Sequence, residues 1–238
     1  MSDYKSFMGS WCFTFGFPVP ATLDQVIKVL SAVEVDGIAL GAGVAGPAAP
    51  EQVPTTASRK ELDSKINSYD LEVAGYAPDP YCMPWATGDA DVLKAYEDYF
   101  ASCLQMASDV GSSVIRVDPG SLGPLPRDAD YNAIWDRVVT TFQVQSKMAA
   151  DVGITLLWEP ETGQVFVKPS EIIKMVEDVG ESNFLLDYDC GHAQAISVLG
   201  HNQIQPIETY EDGQLGFIKA LEVKIGSVGP VSYTHLRS

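Results

Sequence analysis

Positive charge is what this sequence has least of. Among 238 residues, 15 Lys and Arg stand against 32 Asp and Glu, a formal net charge of −17, and no Lys/Arg run occurs anywhere. Nucleic-acid backbones and anionic membranes both demand clustered Lys and Arg, so neither is expected as a partner. Cysteine is also sparse. Cys12, Cys82, Cys103 and Cys190 are scattered with no CxxC, which argues against a disulfide framework or a structural zinc site. No apolar span reaches 18 residues, and the N-terminus shows no basic stretch, apolar run and A-x-A-like cleavage site. A membrane helix and a secretory signal are therefore not expected, and the default is a soluble, cytoplasmic protein.

What is present is a large apolar fraction, 46% against 20% charged, enough for a sizeable core. Short strand-like runs alternate with helical patterns, the signature of a parallel sheet. Strands are expected at Trp11–Phe15, Asp36–Leu40, Leu71–Tyr76, Val114–Val117, Ile154–Glu159, Phe184–Asp189 and Phe217–Val223. Helices are expected after Thr22, with Leu23, Val26, Ile27, Leu30 and Val33 on one face, and over Ser58–Tyr69, Ala90–Val110, Tyr131–Val152 and Pro169–Val179. Nothing in the composition marks a second domain. Seven sequential βα units suit a (β/α)8 TIM barrel better than an open doubly wound sheet, with the eighth strand missing.

Two segments need separate readings. Gly41-Ala42-Gly43-Val44-Ala45-Gly46 matches GxGxxG after a strand, but a dinucleotide site needs a helix to open on those glycines, and Pro47 and Pro50 obstruct one. It reads as a βα loop at the barrel mouth. The tail Val231-Ser232-Tyr233-Thr234-His235-Leu236-Arg237 matches the in-frame translation of a transposase adapter, GTC-TCT-TAT-ACA-CAT-CTC-CGA. On that reading residues 231–238 are non-native and residues 1–230 form a single, C-terminally truncated barrel domain, which as it stands is expected to be inactive.

Active sites of β/α barrels lie at the C-terminal ends of the strands. Two expected strands finish in a carboxylate there: Glu159, within Trp158-Glu159-Pro160-Glu161, and Asp189, within Asp189-Cys190-Gly191-His192. Such charges need a metal or a counter-charge, and carboxylates with imidazole suit Mn²⁺, Mg²⁺, Co²⁺ or Zn²⁺. Asp187 shares the strand parity of Asp189. Arg116 and Asp118 flank the end of the fourth strand and read either as substrate contacts or as a structural ion pair, while Trp11, Phe13 and Tyr76 read as core and His201 as solvent-facing.

The run LLWEPE, followed about thirty residues later by NFLLDYDCGHA, resembles the xylose isomerase-like barrel superfamily of sugar-phosphate isomerases and epimerases. LDSKINSYDLEVAGYAP and SSVIRVDPG extend that resemblance over nearly the whole chain. The resemblance implies a catalytic and metal-ligating role for Glu159 and a ligand role for Asp189, with His192, Glu161 and Arg116 toward the substrate. Where the family has His-x-Lys in its seventh strand, this sequence has Glu222-Val223-Lys224, so the third ligand is Glu222 or is altered. The fourth ligand, a Glu ending the eighth strand and the second proton-transfer group, is expected beyond the truncation.

The implied reaction is isomerisation or epimerisation of a sugar or sugar phosphate through an enediolate, aided by a divalent metal. An inosose-type dehydratase and a non-catalytic sugar-binding relative are the alternatives. A related barrel family that repairs abasic DNA uses a His-rich three-metal site, for which three histidines and a charge of −17 are a poor match. The partner expected is a small-molecule carbohydrate, with homo-oligomerisation left open.

Overall fold

Short strands and amphipathic helices alternate along the computed structural model, which describes residues 5–14, 19–42, 47–78, 83–121, 123–221 and 224–229. The chain divides into two compact units, one comprising Met1–Asp79 and Glu97–Arg116, the other Pro80–Tyr96 and Val117–Ser232.

The first unit carries β1 (Phe7–Gly9), α1 (Leu23–Ala32), β2 (Gly37–Gly41), α2 (Thr56–Asn67), β3 (Glu72–Ala77), most of α3 (Ala90–Asp109) and the start of β4 (Val114–Val117). Thr22 opens α1 as expected: its side chain accepts from Gln25 N while the Gln25 side chain returns a bond to the Thr22 backbone. Val26, Ile27 and Leu30 are the buried face, whereas Val33 turns outward. β2 is buried along its whole length and pairs in parallel with β1 and β3. Arg59 bridges α2 to α3, its Nη1 lying 3.1 Å from Asp109 Oδ2 and its Nε donating to Val53 O at 2.8 Å.

The second unit carries α4 (Tyr131–Asp151), β5 (Thr155–Trp158), α5 (Pro169–Val179), β6 (Phe184–Asp189), α6 (Cys190–Ser197), α7 (Gln214–Leu221) and β7 (Ile225–Gly229). β5 pairs in parallel with β6 over Leu156↔Phe184 to Trp158↔Leu186, and β6 with β7 as far as Asp189↔Gly229. An aromatic core fills the space beneath the helices. Trp85 stacks on Tyr96 at 4.7 Å and meets Phe142 edge-on, and Phe142 continues to Phe184 at 5.2 Å. Asn183 pins the turn before β6 by donating to Ser146 O and Ile154 O. Strands that pair in chain order and in parallel, with helices between them, make this an α/β chain of the incomplete (β/α)8 TIM barrel class.

Two strands lie elsewhere than the sequence suggests. The expected first strand at Trp11–Phe15 is instead a 3-10 turn over Ser10–Phe13, with Phe15 outside the described residues. Phe7–Gly9 supplies the pairing to β2, and Ser10 Oγ then accepts from Gly41 N. The expected last strand at Phe217–Val223 is largely α7: Phe217 and Leu221 are its buried positions while Lys219 between them is exposed, which a helix allows and the alternation of a strand does not. The seventh strand begins only at Ile225. Glu222 and the tail 231–238 lie outside the described residues. In the GxGxxG segment, residues 43–46 also lie outside them; no helix opens on Pro47, and α2 starts at Thr56.

Candidate active site

Two strand ends in the second unit bring the acidic groups together. β5 stops at Trp158, and the chain enters the loop 159–168 through Glu159-Pro160-Glu161. The proline has no N–H and cannot continue the ladder. Glu159 N is held on Val117 O at 3.3 Å, which fixes the exit direction. β6 runs on to Asp189, which caps the next helix: its Oδ1 accepts from Gly191 N at 2.7 Å and His192 N at 2.8 Å. The cap therefore places His192 in the first turn of α6.

Among the described residues, one group of three metal-competent side chains converges, Glu159, Glu161 and His192, with ligand atoms all within 4.8 Å of one another. His192 Nε2 lies 3.9 Å from Glu159 Oε1 and 4.0 Å from Glu161 Oε2. All three are buried, at 8%, 3% and 6% exposure. Two carboxylates withdrawn from water this close together repel one another and call for a proton or a cation. Oxygen donors beside an imidazole fit Mn²⁺, Mg²⁺, Co²⁺ or Zn²⁺.

The other sequence candidates fall out differently. Asp189 is buried and sits at the end of β6, but its Oδ1 serves the α6 cap and it is not a member of the converging group. Asp187 is half-buried in the strand, in register with Ser227. Arg116 belongs to the first unit, where its guanidinium carbon lies 6.0 Å from the Trp11 ring centroid, a cation–π distance. Tyr76 is core, 1% exposed and donating to Ala48 O, and His201 is exposed. Of Glu222 nothing is described, and the seventh strand, in which it was expected to lie, starts after it.

Sequence reasoning missed the residues that hold the 159–168 loop. Thr162 N donates to His192 Nδ1 at 3.4 Å, Asn202 Nδ2 donates to Thr162 O at 2.5 Å, and Gly123 N donates to Gly163 O at 2.6 Å. The one signal in the sequence was Gly200-His201-Asn202, a turn-rich triplet in which Asn tolerates left-handed backbone.

A family model described as xylose isomerase-like TIM barrel matches residues 27–226. The chain belongs to that family. No curated protein matches the chain. Among solved structures, D-psicose 3-epimerase from Clostridium cellulolyticum H10 is 15% identical with a TM-score of 0.73, covering 95% of this chain and 73% of its own. The probable 3-DHS dehydratase AsbF of Bacillus anthracis is 13% identical at 0.65, with 94% and 72% covered. An AP endonuclease, family 2, from Brucella melitensis is 17% identical at 0.69, with 97% and 80% covered. At such identities the likeness is one of fold, and three differently named neighbours illustrate how many functions one barrel hosts.

Proposed function

We propose that the chain is a metal-dependent isomerase or epimerase of a sugar or sugar phosphate in the cytoplasm. The observation that supports this best is the buried meeting of Glu159, Glu161 and His192 beyond the ends of β5 and β6. Of the neighbours, the epimerase is the one whose named reaction this arrangement suits. A charge of −17 weighs against the DNA substrate that an endonuclease implies.

The residues that would hold the divalent metal are Glu159 and Glu161, with Asp189, at the end of the neighbouring β6, a further ligand on the family resemblance alone. When bound, the metal supplies electrostatic stabilisation to an oxyanion developing on the sugar. Glu159 removes the proton from the carbon beside the sugar carbonyl, converting the ketose to an enediolate. His192 donates a hydrogen bond to a sugar oxygen. Return of the proton from the opposite face, which distinguishes epimerisation from simple exchange, falls to a second carboxylate outside this group.

Proton removal can be read separately from its return. The expected inactivity concerns the complete epimerisation; a panel of ketoses and ketose phosphates incubated with the chain and Mn²⁺ in D₂O should still gain deuterium at the carbon beside the carbonyl through Glu159 alone, and Glu159→Gln should abolish the gain. No exchange on any member of the panel would refute the proposal, and loss of water from the substrate would point to dehydration instead.

A further inference from the structure

The loop between α6 and α7 reaches back to the site through one side chain. Asn202 has φ = +58°, in the left-handed region that few residues other than glycine enter. The loop is built to hold it there: His201 N bonds to Ala195 O, and Gln203 Nε2 donates to both Ile196 O and Glu208 O. From this position Asn202 Nδ2 meets Thr162 O at 2.5 Å, while Thr162 N meets His192 Nδ1 at 3.4 Å.

Both contacts have only one chemical sense. A carbonyl oxygen only accepts, so Asn202 must present its NH₂ group to it. A backbone N–H only donates, so Nδ1 must carry the lone pair, and the proton of the neutral ring is on Nε2. Nε2 is the atom that lies 3.9 Å from Glu159 and 4.0 Å from Glu161.

We infer that Asn202 is a positioning residue that, acting through Thr162, holds His192 as the Nε2–H tautomer facing Glu159 and Glu161. The two bonds lie on successive peptide planes, so the coupling is mechanical: Asn202 fixes the backbone angles of Thr162, and these aim its N–H at the ring. Glycine would supply the left-handed backbone without the donor, and aspartate would supply the shape with an acceptor in its place. The use made of the tautomer, a hydrogen bond to a sugar oxygen, rests on the proposed reaction, but the tautomer itself does not.

The test is ring ¹⁵N NMR of the labelled chain, free of metal and sugar and with the imidazole neutral; His192 signals are assigned by their loss in His192→Gln. The expected result is Nε2 in the protonated range and Nδ1 in the unprotonated range. In Asn202→Gly and Asn202→Asp the two shifts should move toward each other as the tautomers mix, while backbone amide spectra away from the loop stay unchanged. A wild-type ring protonated at Nδ1, or variants whose ring shifts match wild type, would overturn the inference, and the wild-type reading needs no variant to fold. Failure of deuterium exchange would remove the proposed reaction and leave this result standing.

Discussion

Asp189 caps α6 and, in the proposed function, also serves the metal, and a pair of substitutions can separate the two. Its Oδ1 accepts two backbone N–H groups, at 2.7 and 2.8 Å, at the start of a helix of eight residues. Helices that short have no stability of their own, so the cap contributes directly to whether α6 forms. Asp189→Ala leaves the buried His192 N–H and the half-buried Gly191 N–H without their acceptor and should cost about 1–2 kcal/mol. In a chain of this size that is a fall of about 2–8 °C in Tm. Asp189→Asn keeps the acceptor and loses only the charge at the helix N-terminus, about 0.3–1 kcal/mol. Urea and thermal melts in EDTA should therefore order the proteins as wild type, Asn, Ala. Calorimetric titration with Mn²⁺ should weaken alike in both variants if the carboxylate charge also serves the metal. Asn and Ala variants that melt together would refute the capping argument.

Three other outcomes follow from the structure. Arg59→Met strands the Asp109 carboxylate between α2 and α3 with, among the described residues, Thr56 and Gln105 left to bond it; it should cost about 3–5 kcal/mol by urea denaturation, and much of that should return in Arg59→Met/Asp109→Leu. Burial pushes the Glu171 carboxyl above its ordinary value of 4.5, so the stability it contributes is complete below that value and is lost as pH rises through the raised one; Glu171→Gln should gain on wild type in Tm between pH 4 and 7, and a constant difference would contradict this. Burial likewise pushes the Cys103 thiol up to about 12 while Cys12 is exposed, so iodoacetamide at pH 8 should label Cys12 in the native protein and Cys103 only in urea, as read by peptide mass spectrometry.

The elements legible in the sequence were those with strong local signals. Val114–Val117 and Phe184–Asp189 are apolar runs with clear ends, and Pro169–Val179 has proline in its first turn and Gly180, at φ = +67°, after its last. β1 is three residues long, too short to show alternation, and β7 reads Ile-Gly-Ser-Val-Gly, where two glycines and a serine dilute the strand signal of Ile225 and Val228. Neighbouring aromatic and apolar runs, Trp11–Phe15 and Phe217–Val223, were the more conspicuous strands on paper. At the site, strand-end carboxylates and the Asp-x-x-His spacing pointed to Glu159, Asp189 and His192. The cap that occupies Asp189 was legible only in geometry. Thr162 and Asn202 were hidden for a different reason: they act through backbone groups, across 40 residues of chain.

The loop after β5 is tied to its surroundings at Glu159, Thr162 and Gly163 within five residues. Loops on barrels of this class are ordinarily where lineages insert and delete residues to acquire new specificities. Here one residue added between Glu159 and Thr162 would throw the tethers at Thr162 and Gly163 out of register with the one at Glu159. Changes of substrate range in this lineage should therefore be written in other βα loops, with the length of this one held constant while its neighbours drift.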